Sequence, residues 1–173
     1  MPLSRWLYER LGHINVLQLG TLIPSSDILV EWASSPSYTQ IAVVDDGSIV
    51  ISSADDDIDS DFEVGLSGSV FYGPYIVTQL TTRVRCLRVA PGYYEVRATL
   101  AGAGEDSVYE FTVSNSLYAY FTWDFSACLP VNGLSIITLT IRPLGCVMDP
   151  ATTKLIVDAA DIVVYGRPIP GMM

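Results

Sequence analysis

The chain has 173 residues, of which 50% are hydrophobic and 16% are charged, and its net charge at pH 7 is −10. A chain of this length fits one domain, and its apolar content is too high for an intrinsically disordered protein. The acidic charge repels the phosphates of nucleic acids, and no apolar run approaches the ~20 residues that cross a membrane. We therefore expect neither nucleic acid nor membrane as a partner.

The first predicted element is a short N-terminal arm at 1–13. Leu3, Leu7 and Leu11 recur at a spacing of four with Trp6 beside them, which predicts one or two helical turns. A helix this short is not stable alone in water, so its apolar side must dock on its own domain or on a neighbouring subunit. The charges within the arm exclude a signal peptide.

From residue 14 onward the pattern is that of β-strands separated by turn residues such as Asp46-Gly47, Pro91-Gly92 and Asn132-Gly133. The predicted strands are 14–19, 28–33, 38–44, 48–53, 61–72, 75–89, 93–101, 106–113, 117–125, 134–142, 154–158 and 160–166. So many short strands with almost no helix predict an all-β, antiparallel β-sandwich or jelly roll. We expect it to form a single domain over 14–173, with a division near 54–61 as the alternative.

Alternation along the later strands predicts which side chains face the core. Leu117 and Trp123 are expected to face inward, whereas Tyr93, Tyr118 and Tyr120 are expected to face outward. Outward tyrosines supply rigid, amphipathic area with a hydrogen-bonding end. Such area suits either a protein interface or a platform for sugars.

The charges are segregated along the chain. No Lys or Arg lies between Arg10 and Arg83, an interval that holds ten of the 19 acids, whereas Arg83, Arg85 and Arg88 lie close together. One interpretation is that the acid-rich segment of one subunit faces these arginines on the next. The alternative is that the arginines neutralise acids within their own sheet.

The densest group of acids surrounds Asp57, Asp59 and Asp61, whose alternation resembles a calcium loop. The EF-hand pattern would require Gly at position 62 and Glu at 68, where the chain has Phe62 and Gly68. In an extended strand the three aspartates would form an exposed acidic edge, which blocks edge-to-edge aggregation. A solvated edge is therefore the favoured interpretation, and a bound cation or a partner's arginine is the alternative.

No catalytic residue is predicted. The only histidine is His13, and no serine has the GxSxG context of a hydrolase nucleophile. Cys86, Cys128 and Cys146 lack the spacing of a zinc site, and apolar surroundings predict buried free thiols. A pair of carboxylates about 5–9.5 Å apart would suffice for glycoside hydrolysis, but no acid pair stands out. We therefore expect a non-enzymatic protein without a cofactor.

Four segments carry a resemblance to a known group of proteins. They are PGYYEVRATL (91–100), YAYFTWDF (118–125), LSIITLTI (134–141) and LIVDAADIVVYG (155–166). With them, the stretch from about 62 to 166 resembles the jelly-roll sandwiches of the galactose-binding-like and carbohydrate-binding-module group. Modules of that group occur in sugar-binding proteins and as building blocks of phage and viral virions, including capsid decoration proteins.

The first functional hypothesis is a non-enzymatic structural protein of a virion, a capsid decoration or minor capsid component made in the host cytoplasm. It would bind other capsid subunits and form a homo-oligomer. The expected interface residues are Leu3, Trp6, Leu7, Leu11, Arg83, Arg85, Arg88, Tyr93, Tyr118 and Tyr120. The alternative is a carbohydrate-binding module of an adhesin or receptor-binding protein, with the three tyrosines as a stacking platform and calcium at the aspartates. An enzyme with two catalytic carboxylates is a third hypothesis.

Overall fold

The computed structural model describes residues 16–53, 57–71, 73–89, 92–102, 106–130, 133–134, 137–147 and 152–169, apart from the side chains of 128–130. The predicted arm at 1–13 lies outside these residues. Within them the chain forms nine β-strands and a short 3-10 helix at Tyr38–Gln40. The strands are β1 (Leu17–Val30), β2 (Val50–Ser53), β3 (Phe62–Ser67), β4 (Tyr75–Val89), β5 (Tyr93–Ala101), β6 (Ser107–Val113), β7 (Ala119–Pro130), β8 (Thr138–Val147) and β9 (Lys154–Pro168).

The strands form two antiparallel sheets. Sheet A has the order β7-β4-β9, with β2 and the first half of β1 pairing along the remaining side of β9. Sheet B has the order β6-β5-β8-β3, followed by the second half of β1. The chain is thus an all-β antiparallel sandwich of the jelly-roll kind, which confirms the predicted fold class. Within the described ranges, no helix has the length and apolarity that a membrane crossing requires.

Strand β1 belongs to both sheets and joins them. Leu22 pairs with Ile162 of β9, and the next residue, Ile23, pairs with Ser67 of β3. The chain crosses between the sheets at this point, and the β1–β3 register then shifts after Pro24. Such a bulge accommodates a proline, which has no N–H to donate to a ladder.

Two glycines allow the segment after β3 to close over β1. A Cβ on Gly20 would meet the carbonyl oxygen of Ser69 at 2.2 Å, and a Cβ on Gly68 would meet that of Thr21 at 2.1 Å. Backbone atoms cannot move aside cheaply, so these contacts require glycine. The close approach lets Gly20 form an isolated bridge with Val70.

The core lies between the sheets. The alternate residues Tyr94, Val96, Ala98 and Leu100 of β5 are all buried, as their pattern predicts. Leu117, which was expected in the core, is 79% exposed because β7 begins only two residues later. That prediction is wrong.

Edge strands β6 and β7 meet through aromatic side chains. The ring centroids of Phe111 and Phe121 are 4.5 Å apart, those of Tyr109 and Trp123 are 5.1 Å apart, and those of Tyr109 and Phe111 are 5.6 Å apart. Among the described residues, β6 and β7 are the two ends of the strand order and do not pair with each other. Stacked rings rather than backbone hydrogen bonds therefore connect the two sheets on this side.

Several predicted strand boundaries are wrong. Residues 17–19 and 28–30 of two predicted strands belong to the single strand β1, and 154–158 and 160–166 belong to the single strand β9. The segment 38–44 is not a strand, because the Tyr38 N–H donates to the Asp27 carboxylate at 2.6 Å and starts the 3-10 helix.

Candidate interaction face

Four of the predicted interface residues lie together on the outer face of sheet A. Arg83 and Arg85 project from β4. Tyr118 lies just before the start of β7, and Tyr120 is its second residue. The β4–β7 register sets Arg85 directly opposite Tyr120. The arginines point outward because strand alternation turns their neighbour Val84 into the core. We call these four residues the Tyr–Arg face.

Each arginine of the Tyr–Arg face lies against one tyrosine ring. The Cζ atom of Arg83 is 5.5 Å from the ring centroid of Tyr120, and that of Arg85 is 4.5 Å from that of Tyr118. These are cation–π distances. Burial raises the pKa of Tyr118, and the nearby Asp158 carboxylate raises it further. Tyr120 keeps 46% of its surface exposed and is the more accessible ring.

The charges of both arginines are balanced within the same chain. The Arg83 guanidinium donates to Asp161 through Nε at 2.6 Å and through Nη2 at 2.5 Å, and Asp161 lies directly opposite on β9. This hydrogen bonding raises the pKa of Arg83 against the opposing effect of burial. Arg85 donates through Nη1 to Asp158 and, at 2.6 Å, to Asp45. The arginines thus pair within their own chain, one of the two arrangements that the sequence left open.

A bulge in β9 places Asp158 against Arg85. Arg85 pairs with Ala159 but the next residue, Cys86, pairs with Val157, so Asp158 is the extra residue. Bulges re-aim a side chain at the cost of one unpaired residue. The Asp158 side chain is only 4% exposed, so Arg85 holds a carboxylate that is almost fully buried.

Exposed apolar side chains border the Tyr–Arg face. Asp45, which bonds Arg85, has a left-handed φ of 56° and follows Val43 and Val44, which are 53% and 40% exposed. Leu117, 79% exposed, immediately precedes the tyrosine that stacks on Arg85. The face therefore combines tyrosine rings that lie against arginine side chains, arginine charges that are balanced by aspartates, and exposed apolar groups.

The other predicted interface residues lie elsewhere. Arg88, near the end of β4, donates from Nε to the Ser114 carbonyl at 2.9 Å. Tyr93 is in β5 of sheet B, where it pairs with Val147. The predicted platform of three tyrosines is therefore wrong, since Tyr93 is on the other sheet. The predicted arm residues Leu3, Trp6, Leu7 and Leu11 lie outside the described residues.

The acidic stretch does not form the predicted extended edge. Asp57 is only 1% exposed, and its carboxylate accepts the Ala33 N–H at 2.6 Å. Its carbonyl accepts the Ser60 N–H at 3.1 Å, and Asp59 has a φ of 62°. Asp57 and Asp59 therefore lie in a tight turn, and Asp57 is a structural residue rather than a solvated one.

The counterion of this acidic turn is Arg142. Its guanidinium donates to Asp61 through Nε at 2.6 Å and through Nη2 at 2.5 Å, which raises the pKa of Arg142. Asp59 and Glu31 add to the same effect. In the part of the chain that the structure describes, no group of three or more His, Cys, Asp or Glu side chains is placed to hold a metal ion. The described residues thus do not form the alternative calcium site at Asp57, Asp59 and Asp61, and Asp61 pairs with Arg142 instead.

Sequence reasoning missed the acids of the Tyr–Arg face. Asp158 and Asp161 interrupt an otherwise apolar segment, and that interruption predicts a break between strands 154–158 and 160–166. In a regular strand, two residues three positions apart point to opposite sides of the sheet. Two acids at this spacing share one side only if the strand contains a bulge between them. Nothing in the sequence around Asp45 indicates that it lies beside Arg85.

Comparison with known proteins gives similarity of fold only. No family model and no curated protein matches the chain. Among solved structures, the CBM22-1 xylan-binding domain of Paenibacillus barcinonensis Xyn10C is 11% identical over 68% of this chain and 82% of its own, with a TM-score of 0.34. A family 16 carbohydrate binding module-2 is 10% identical over 84% and 86%, with a TM-score of 0.35. The tobacco streak virus coat protein is 14% identical over 72% and 89%, with a TM-score of 0.31.

Proposed function

We propose that this protein is a non-enzymatic structural component of a virion, a capsid decoration or minor capsid protein. It binds other capsid subunits and further copies of itself through the Tyr–Arg face. The observation that carries the proposal is the composition of that face, in which tyrosine, arginine and exposed apolar side chains adjoin.

This composition suits a protein partner. Tyrosine and arginine are enriched at the centres of protein interfaces, where large rigid groups give contact area at a low entropic cost. The charges of Arg83 and Arg85 are already balanced by Asp161 and Asp158. A partner therefore need not supply a counterion, and docking leaves no buried charge unpaired.

The N-terminal arm provides a second contact in this proposal. Its apolar residues Leu3, Trp6, Leu7 and Leu11 are expected to anchor it on a neighbouring subunit. Val16, the first residue that the structure describes, is 53% exposed.

Sedimentation of variants tests the self-association part of the proposal. Tyr120→Ala should weaken association about 30-fold, since truncation of an interface hot spot costs about 2 kcal/mol or more. Tyr93→Ala, a matched change on the other sheet, should leave it unchanged. Removal of residues 1–12 should abolish assembly while the circular dichroism of the sandwich persists. Equal sedimentation of wild type and all variants at every concentration would contradict the proposal.

The location in a virion requires its own measurement. An antibody against this protein should decorate particles purified from the source lysate, as seen by immunogold electron microscopy. Particles that carry no label, while the free fraction does, would count against a virion component.

The second candidate function is that of a carbohydrate-binding module of an adhesin or receptor-binding protein, on the same face. It is favoured by the 46% exposure of Tyr120, whose ring lies against Arg83 and supplies an aromatic surface of the kind that stacks on sugars. A glycan array tests it. Binding that Tyr120→Ala removes and Tyr93→Ala retains would favour this function over assembly.

A further inference from the structure

Two buried polar atoms lie on adjacent strands beneath the Tyr–Arg face. Thr82 of β4 and Trp123 of β7 are directly paired residues, and both side chains point into the core, with 0% and 8% exposure. Neither Thr82 Oγ1 nor Trp123 Nε1 has a hydrogen-bond partner among the described residues. Direct pairing across an antiparallel ladder brings the two Cβ atoms to about 4.5–5.5 Å.

Buried polar side chains nearly always have a hydrogen-bond partner. A second buried indole in the described residues has a direct partner, because Trp32 Nε1 donates to the Ser60 carbonyl at 3.0 Å. An indole N–H only donates, whereas a hydroxyl both donates and accepts. A group that serves both atoms must therefore accept one hydrogen bond and be able to donate another.

We propose that one internal water molecule binds between Trp123 Nε1 and Thr82 Oγ1. The indole donates to the water oxygen, and the water donates to the threonine hydroxyl. Water is the smallest molecule with both capacities, and buried waters commonly serve polar groups that lack another partner. Trp123 stacks on Tyr109 at the side where β6 and β7 meet.

The water joins β4 and β7 from inside the sandwich. Thr82 is the residue before Arg83, so the bridge supports the two strands that carry the Tyr–Arg face. This inference does not depend on the proposed function, because it concerns the interior side of the same strands.

Nuclear magnetic resonance of ¹⁵N-labelled protein tests the inference. The Trp123 indole signal, assigned by its loss in Trp123→Phe, should show a cross-peak to a long-lived water. The Trp32 indole is a control within the molecule and should show none, since it bonds Ser60. A Trp123 indole without a water cross-peak would overturn the proposal.

Stability measurements give a second, independent readout. Thr82→Val keeps the shape but removes the hydroxyl. With a bound water it should lower the thermal midpoint by about 2–4 °C, whereas removal of an unpaired hydroxyl should raise it. Thr82→Ser keeps the hydroxyl and should therefore keep the water cross-peak in the nuclear magnetic resonance experiment.

A double-mutant cycle tests whether the two residues share one water. In the Thr82→Val background, Trp123→Phe should lower the free energy of unfolding by less than in the wild type, because both residues contact one water. Additive losses, or a raised midpoint in Thr82→Val, would refute the bridge.

Discussion

Truncation of two core phenylalanines should lower stability by different amounts. Phe62 is 0% exposed in β3, in the interior of sheet B, and its ring lies 5.5 Å from that of Trp32. Phe111 is 8% exposed on the edge strand β6, against Phe121 and Tyr109. The two residues thus present the same chemistry in a confined site and at an edge.

The position in the sheet sets the expected magnitudes. Removing a buried phenylalanine side chain costs about 3–5 kcal/mol, with the lower values where the surroundings can collapse into the cavity. Strands on both sides of β3 hold Phe62 in place, so Phe62→Ala should cost about 5 kcal/mol. Among the described residues strand β6 is paired on one side only, so it can shift inward and Phe111→Ala should cost about 3 kcal/mol.

Urea and thermal unfolding followed by circular dichroism measure these costs. At about 2–4 °C per kcal/mol, the midpoint should fall by about 10–20 °C for Phe62→Ala and by about 6–12 °C for Phe111→Ala. Phe62→Leu and Phe111→Leu serve as controls that keep most of the volume. An equal or larger loss for Phe111→Ala would refute the reasoning, since it would mean that the edge cannot relax.

Three further predictions concern separate features. Gly20→Ala should cost about 1–3 kcal/mol in urea unfolding, because its Cβ would meet the Ser69 oxygen at 2.2 Å; Gly145→Ala, whose nearest contact is 3.7 Å away, should be tolerated. Arg142→Gln should lower the unfolding midpoint more at low than at high salt, because it leaves neighbouring carboxylates without their counterion; a loss independent of salt would contradict this. Burial raises the pKa of Cys86, so the native thiol should resist a thiol reagent at mildly alkaline pH and react only on unfolding; fast native modification would exclude the buried site.

The sequence predicts strands best where pattern and turns agree. The predicted boundaries 75–89 and 93–101 coincide with β4 and β5, because alternation is regular and turn residues flank both segments. The outward position of Arg83, Arg85 and Tyr120 follows from the same alternation. Local pattern thus predicts which side chains share a face of a strand.

Long-range partners could not be predicted in this way. Arg142 and Asp61 are 81 positions apart, and Arg83 and Asp161 are 78 apart. Which carboxylate meets which arginine depends on the order of strands in the sheets, and period-two alternation does not encode that order. The prediction of a strand at 38–44 is wrong for a related reason. The Asp27 carboxylate, from another element, accepts the Tyr38 N–H and starts a 3-10 helix in a segment with a strand-like pattern.

The place of β9 in sheet A determines when this chain can fold. Strands β1, β2 and β4 all pair with β9, which follows every other described strand in the sequence. During synthesis each of these three strands keeps one edge unpaired until the ribosome has released the segment 154–168. Pairings this distant in sequence close slowly, and exposed strand edges associate with other chains in the meantime. We therefore expect nascent chains of this protein to expose these strand edges until translation passes β9.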